Sequence, residues 1–228
     1  MRSTESSDDA AAGRAVVSRM ERIRDAAVAR FGRDGFSAGL RTIATDAGVT
    51  AGLVIHHFGS KEGLRQACDD YVLGVIRSEK LRAATSGSAA GMLAQLAEIE
   101  QYGPLALYAV RSMQAGGELA TAFVEHMVQD AEEYLAAGVA AGTIRPSRDP
   151  AGRARYLTFQ GMGSLMLWIS LHPEMVSVDD FRTALREISD QITLPALELF
   201  TEGLFVDRTM LDSYLMYVPD PPGGPAVP

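Results

Sequence analysis

The stretch LRTIATDAGVTAGLVIHHFGSK, residues 40–61, decides the fold that this chain is expected to adopt. Apolar residues at its start recur at the i, i+3, i+4 and i+7 spacing of one helical face: Leu40, Ile43, Ala44 and Ala47. Gly48 follows where a helix commonly ends in the left-handed conformation that glycine adopts most easily. Thr50 then stands at the N-cap of a second helix, where its hydroxyl can accept backbone N–H groups. Helix, glycine-containing turn and helix is the pattern of a DNA-binding helix-turn-helix.

Many helical hairpins share that pattern, and the flanking residues make it more specific. An apolar helical stripe lies upstream: Met20, Ile23, Ala26, Ala27 and Phe31. A further helix opens downstream, at Ser60-Lys61-Glu62-Gly63-Leu64. With these neighbours, the first third of the chain resembles the N-terminal domain of TetR/AcrR-type transcriptional regulators, in particular actinobacterial members. The matching positions are Ile23, Ala27, Phe31, Gly35, Ile43, Ala44, Ala47, Gly48, Val49, Gly52, His57, Phe58, Ser60, Lys61 and Leu64.

The composition of the 228 residues is that of an ordinary globular protein, with 47% hydrophobic and 22% charged residues. Cys68 is the one cysteine, which excludes an intramolecular disulfide and suits a reducing compartment. Residues 1–13 have no apolar core typical of a signal peptide. The best uncharged apolar run, 156–171, is shorter than the roughly 18 residues needed to cross a bilayer. We therefore expect a cytoplasmic protein without membrane contact.

The net charge of −8 hides a segregation of charge along the chain. Residues 14–65 carry nine basic and five acidic side chains, a net charge of +4. Residues 66–228 carry eleven basic and twenty-one acidic side chains, a net charge of −10. A positive N-terminal region on a negative body steers that region toward the phosphates of DNA.

The periodicity predicts an all-α chain of about nine to ten helices, because no convincing period-2 segment occurs. The expected helices span about 16–33, 40–47, 51–57, 60–84, 90–101, 104–115, 118–141, 150–171, 179–202 and 208–216. A disordered arm is predicted at 1–15 and a disordered proline-rich tail at 218–228. Between them we expect a DNA-binding domain over 16–64, with its motif at about 39–58, and an effector-binding and dimerisation domain over 65–217.

The candidate DNA-binding residues lie on and around the second helix of the motif. They are Arg41, Thr42, Thr50, Ala51, Gly52, Leu53, His56, His57 and Lys61. The small residues Ala51 and Gly52 would let the backbone approach DNA closely, and His56 could reach a base edge or a phosphate. The TetR resemblance implies phosphate contacts for Arg41 and Lys61.

Two features depart from the TetR pattern. Positions 55 and 56 usually carry aromatic residues in the family and here are Ile55 and His56. Positions 38 and 39 commonly carry threonines and here are Ala38 and Gly39, which predicts the loss of one phosphate anchor.

The resemblance also implies an effector pocket in the C-terminal body, between the fifth and eighth helices. Its candidate residues are Met92, Leu96, Tyr102, Tyr108, Met113, Phe123, His126, Met127, Met162, Met166 and Trp168. Methionines repack readily around ligands of varied shape, although any one of these residues is more often part of an ordinary core. We expect no metal and no cofactor. Adjacent His56 and His57 point about 100° apart on a helix, and the acidic residues around His126 are better interpreted as a solvated face.

The resemblance finally implies a two-fold dimer through the eighth and ninth helices. It also implies a repressor that binds a palindromic operator and that a small, largely apolar effector releases, with a neighbouring efflux transporter gene as one target. Two alternatives stay open. One is a ligand-independent DNA-binding protein, and the other is a helical carrier or enzyme, for which no catalytic motif is present.

Overall fold

A computed structural model describes residues 5–175 and 178–218 of the chain, and the side chains of residues 17–175 and 180–218. The described residues form ten α-helices and no strand. They are α1 (Glu5–Asp34), α2 (Leu40–Asp46), α3 (Ala51–Phe58), α4 (Lys61–Ser86), α5 (Ala89–Ala97), α6 (Gly103–Gln114), α7 (Gly117–Ala140), α8 (Pro150–Leu171), α9 (Val178–Thr201) and α10 (Thr209–Leu215). Short 3-10 turns cover Ile99–Tyr102 and Pro173–Met175. The predicted all-α architecture is confirmed.

The first helix begins at Glu5 rather than at residue 16. Residues 5–15 are rich in alanine, the strongest helix former, and acidic residues near a helix N-terminus are favoured by its dipole. The predicted disordered arm is therefore wrong for residues 5–15. Its residues 1–4 lie outside the described residues, as does the predicted tail from residue 219 onward.

The helices form two compact units. The N-terminal unit comprises the chain up to Val75 together with Pro104–Phe123. The C-terminal unit comprises Ile76–Gly103 and the chain from Val124 onward. This physical division differs from the predicted domain boundary after residue 64, since α6 and the start of α7 belong to the N-terminal unit.

The core of the N-terminal unit is built from one apolar face of each helix. Its fully buried side chains are Ile23, Ala27, Phe31, Ile43, Val54, Leu64, Cys68, Val72, Leu107, Tyr108 and Val110. Burial of such side chains contributes about 1.5–3 kcal/mol each, which is the main force holding these short helices in place. The predicted stripe on α1 is confirmed at Ile23, Ala27 and Phe31.

The C-terminal unit has a core of its own. Its most deeply buried side chains come from α7, α8 and α9: Met127, Val128, Ala131, Leu135, Ala154, Ile169, Phe181, Ala184 and Ile188. Arg186 on α9 donates to the carbonyls of Leu96 and Ala97 at 2.6 and 2.8 Å. These bonds join α9 to the C-terminal end of α5, where helix carbonyls run short of backbone donors.

Candidate DNA-binding surface and effector site

The helix-turn-helix forms as the sequence predicts. Gly48 closes the turn after α2 with φ of +65°, a conformation that glycine adopts without a steric cost. The Thr50 hydroxyl then accepts a hydrogen bond from the Leu53 N–H at 3.3 Å and caps α3. Val54 is fully buried against the rest of the unit, and this fixes which side of α3 stays accessible.

The cap at Thr50 gives a direct test of this local structure. Replacing Thr50 with alanine removes the acceptor for the Leu53 N–H and should cost about 1 kcal/mol of unfolding free energy. Thr50→Ser keeps the hydroxyl and should lose only a small part of that unfolding free energy. Chemical denaturation of both variants at one protein concentration compares them, and equal losses would show that the hydroxyl is not what stabilises the start of α3.

The predicted DNA-binding residues lie mostly on accessible surface. Arg41, Thr42, Thr50, Gly52 and His56 are exposed. The others are half-buried: Ala51, Leu53, His57 and Lys61. Such an arrangement offers two hydroxyls and several cationic or imidazole groups to phosphates and base edges, with no side chain at Gly52 to hold the backbone away.

Ile55 and His57 of α3 differ in how far their side chains are exposed. Ile55 is half exposed on the accessible side of the helix, although it is strongly apolar. An apolar side chain there can contact a thymine methyl group in the major groove, a role the sequence pattern did not indicate. His57 instead turns inward: its ring lies 6.5 Å from that of Phe58, and its Nε2 atom is buried without a hydrogen-bond partner. Packing therefore explains His57 better than a DNA contact.

Arg30 fixes the end of α2 relative to α1. Its Nε and Nη2 atoms each donate to the Asp46 carboxylate at 2.7 Å, and its Nη1 atom donates to Asp34 at 2.9 Å. The hydrogen bonds to Asp34 and Asp46 raise the pKa of Arg30. A bidentate guanidinium–carboxylate pair of this kind fixes geometry as well as adding energy.

A second polar cluster connects α4 to α6 inside the N-terminal unit. The hydroxyl of Tyr108, which is fully buried, donates to Asp69 at 2.7 Å. The Arg65 guanidinium stacks over the Phe36 ring at 3.6 Å, and the Phe36 ring in turn meets Tyr108 edge-on at 5.6 Å. Nearby, Arg111 donates to the carbonyl of Gly32 at 3.0 Å. Together these contacts tie α6 to the ends of α1 and α4.

Burial dominates the electrostatics of this cluster. Desolvation raises the pKa of Asp69, while the hydrogen bond from Tyr108 and the charge of Arg65 lower it. Burial likewise raises the pKa of Tyr108, which therefore stays a hydrogen-bond donor at neutral pH. Asp69 and Tyr108 thus form a hydrogen-bonded pair that joins α4 to α6.

A groove of about 290 Å³ lies beside this cluster in the N-terminal unit. The groove is lined by Phe31, Phe36, Lys61, Glu62, Arg65, Gln66, Asp69 and Leu119. None of the eleven predicted effector-pocket residues is among them. Lys61, a predicted DNA contact, stands at its edge, at the first residue of α4.

The predicted effector-pocket residues are divided between the two units. Tyr108, Met113 and Phe123 belong to the N-terminal unit. The other eight belong to the C-terminal unit: Met92, Leu96, Tyr102, His126, Met127, Met162, Met166 and Trp168. Tyr108 is occupied by its bond to Asp69 and its contacts with Phe36.

Within the C-terminal unit the predicted residues differ in burial. Met127 and Trp168 are buried, Leu96, Tyr102, Met162 and Met166 are half-buried, and Met92 and His126 are exposed. Trp168 stacks on His172 with ring centroids 4.1 Å apart, and its indole N–H is buried without an acceptor. The Nε2 atom of His126 lies 3.9 Å from the carboxylate of Asp130, which is buried. Among residues 17–175 and 180–218, no group of three metal-ligating side chains is assembled.

The sequence pattern did not indicate that Lys80 on α4 would have a perturbed pKa. Its side chain keeps accessible surface, yet burial lowers the pKa of its ammonium group. Within the described part of the chain no carboxylate pairs with it.

Comparison with known proteins then identifies the chain. Residues 23–68 match the profile described as "Bacterial regulatory proteins, tetR family", and residues 100–206 match "Tetracyclin repressor-like, C-terminal domain". The chain is also 54% identical over 194 residues to the HTH-type transcriptional regulatory protein RaaS of Mycobacterium tuberculosis, covering 85% of this chain and 90% of that protein. The chain belongs to the TetR family of transcriptional regulators.

Solved structures agree with the TetR assignment. A protein of Rhodococcus sp. assigned to the same family superposes with a TM-score of 0.53 at 22% identity, covering 75% of this chain and 96% of that one, which shows the shared fold. SmeT, the repressor of the Stenotrophomonas maltophilia multidrug efflux pump SmeDEF, superposes with a TM-score of 0.50 at 25% identity, covering 75% and 89%. The chain is thus a DNA-binding transcriptional regulator. No helix in the described part of the chain is long and apolar enough to span a bilayer.

Proposed function

We propose that this TetR-family chain is a cytoplasmic, dimeric repressor that reads a palindromic operator through two copies of α3. The accessible surface of α3 and of the adjoining α2 carries the proposal. Arg41, Thr42, Thr50 and Lys61 would bind phosphates and set the register, while Gly52 and His56 would face the base edges. Ala51, Leu53 and His57 would support that surface through their packing.

A single helix-turn-helix reads one half-site, so a specific operator complex needs two copies of the chain. The C-terminal unit supports a dimer because α8 and α9 leave large apolar side chains uncovered. They include Phe159, Leu167, Leu171, Ile192, Leu194, Leu197 and Phe200, each at least 40% exposed. An α8–α9 face of this kind would pack against its own copy about a two-fold axis.

Substitution of Lys61 tests the DNA-binding part of the proposal. Fluorescence anisotropy with a labelled duplex from the upstream region of the gene should show selective binding that weakens steeply with salt. Lys61→Ala should weaken binding several-fold. If one phosphate contact is lost per subunit, the slope of log affinity against log salt should fall by about 1.8 for the dimer.

Arg82→Ala is the matched control for lost positive charge. Arg82 is 69% exposed in the C-terminal unit and pairs only with Glu79 among the described residues. We expect Arg82→Ala to leave the salt slope unchanged. Equal effects of the two substitutions would mean that Lys61 acts through net charge and not through a phosphate contact.

We further propose that a small, largely apolar effector binds in the C-terminal unit and releases DNA. The half-buried methionines Met162 and Met166 and the unpaired indole N–H of Trp168 support a cavity there. A ligand that binds the released state better would shift the population away from the operator-bound state.

Likeness to SmeT supports a neighbouring efflux transporter gene as the regulated target, since SmeT represses an efflux pump. The alternative is a ligand-independent DNA-binding protein. It would be favoured if a panel of apolar compounds changed neither the anisotropy of the complex nor the melting temperature of the protein. A carrier or enzyme is set aside, because TetR proteins are regulators.

A further inference from the structure

The chain continues past α9 into a segment that we name the C-terminal arm, residues 203–218. Gly203 turns the chain away from α9 with φ of +83°. Residues 204–208 are not helical, and α10 follows. The Asp207 carboxylate accepts the Thr209 N–H at 2.9 Å, and Arg208 pairs with Asp212 at 3.2 Å. These local bonds give the arm a defined conformation.

Apolar side chains along the arm are uncovered. Each of Leu204, Phe205, Val206, Met210, Leu211, Tyr214, Met216 and Tyr217 is at least 49% exposed. Within α10 the helical period puts Met210, Leu211 and Tyr214 on one side, opposite Asp212, with Ser213 at the edge of that side. An isolated helix of seven residues is not stable in water, and an amphipathic one needs its apolar face covered. The described part of this chain does not cover it.

The family comparison sets α10 apart from the shared fold. The match to the TetR C-terminal profile ends at residue 206, before α10 begins. Effector binding and the α8–α9 dimer belong to the matched part of the chain. The apolar face of α10 therefore needs a separate explanation.

A second copy of the chain is the partner that fits this face. The exposed apolar residues at the end of α9 include Leu197 and Phe200. Only the turn at 201–203 separates them from the exposed Leu204 and Phe205 of the arm. Five residues, 204–208, can span up to ~17 Å. Packed helices lie only about 8–10 Å apart, so the helices of a partner across an α8–α9 interface are within reach.

We propose that the C-terminal arm crosses the dimer interface and packs the apolar face of α10 on the α8–α9 surface of a second copy. Each arm then covers apolar surface of the other subunit and strengthens the dimer. The proposal rests on the proposed α8–α9 dimer and adds to it an exchanged segment outside the region that the family profile matches.

Photo-crosslinking from α10 tests the exchange in the full chain. Tyr214→Cys places a thiol on the apolar side, and Ser213→Cys places one about 100° away around the helix. The natural Cys68 is fully buried, so a benzophenone maleimide should label only the introduced thiol. Chains that carry the benzophenone at natural isotope abundance are mixed with ¹⁵N-labelled chains before irradiation. Mass spectrometry then distinguishes crosslinks between chains from those within one chain.

We expect crosslinks from position 214 to peptides of α8 or α9 of the other chain, several-fold more abundant than from position 213. Light scattering on the same samples separates two failures. A dimer whose 214 crosslinks stay within one chain, or match those of 213, overturns the exchange and leaves the proposed dimer standing. A monomer overturns both.

Sedimentation equilibrium tests the same exchange without the bulky benzophenone label. The double substitution Met210→Ser with Tyr214→Ser removes two apolar groups per arm and should weaken dimerisation at least about tenfold in sedimentation equilibrium. The polar-side control Thr209→Ala with Ser213→Ala should leave the dimer unchanged. An unaltered dissociation constant in the first variant would contradict the proposal.

Discussion

Replacing Gly52 with leucine is expected to weaken operator binding about 100-fold while the protein stays folded. A Cβ atom built at Gly52 meets only the Thr50 hydroxyl, at 3.9 Å, which is an ordinary contact. The fold therefore tolerates a side chain there, and loss of glycine from a helix adds up to about 1 kcal/mol of stability. DNA would not tolerate it, because the side chain would occupy the space through which the α3 backbone approaches the groove.

The loss of affinity should be ~100-fold, equivalent to about 2.8 kcal/mol, with Gly52→Ala giving a smaller loss. Anisotropy measures the affinity, and circular dichroism follows the melting temperature. Gly63→Ala is the contrasting variant: its Cβ would clash with the backbone carbonyl of Phe58, so it should destabilise the protein itself. Wild-type affinity for Gly52→Leu would show that α3 does not approach DNA closely at this position.

The second large effect is expected at Tyr108, where alanine should cost about 3–5 kcal/mol of unfolding free energy. The substitution removes a fully buried ring packed against Phe31 and Phe36. It also leaves Asp69 without its hydrogen-bond donor. Denaturation of the full chain at a fixed protein concentration measures the loss, since the stability of a dimer depends on concentration.

Tyr108→Phe isolates the hydrogen bond and should cost about 1–3 kcal/mol at neutral pH. Burial already raises the pKa of Asp69 in the folded protein, and loss of the Tyr108 donor should raise it further. An acid whose folded pKa exceeds its unfolded pKa binds protons on folding, so its contribution becomes more favourable as the pH falls. The difference between wild type and Tyr108→Phe should therefore be largest near neutral pH and shrink as the pH falls toward the raised pKa of Asp69. A difference independent of pH would mean that Asp69 is not the group left unsatisfied.

Most of the fold could be predicted because its signals are local. Gly48, Thr50 and Ser60 mark helix ends through their own conformations and hydroxyl groups. The predicted bounds of α2, α3 and α8 accordingly match the observed helices within about one residue. The start of α1 was missed because alanine-rich residues 5–15 carry no apolar face, and their polarity favoured a prediction of disorder.

The site could be predicted only in part, because long-range contacts leave no local pattern. Nothing near Tyr108 in the sequence indicates that its hydroxyl meets Asp69, thirty-nine positions earlier. Its size and position in a predicted body helix favoured an effector-pocket role that its contacts do not support. The exposure of Ile55 and the desolvation of Lys80 likewise depend on the arrangement of whole helices. The exposure of the other residues on α2 and α3 was predictable because a helix-turn-helix determines its own accessible side.

The contribution of α6 to the N-terminal unit limits how this regulator can be recombined with its relatives. A chimera that takes residues 1–75 from this chain and the remainder from another TetR protein would lose Leu107, Tyr108 and Val110, three fully buried side chains of the unit that carries α3. A chimera that takes residues 104–123 together with residues 1–75 keeps that core intact. The DNA-binding unit of this protein is therefore encoded by two separated segments of sequence, and a chimera that keeps its core must carry both.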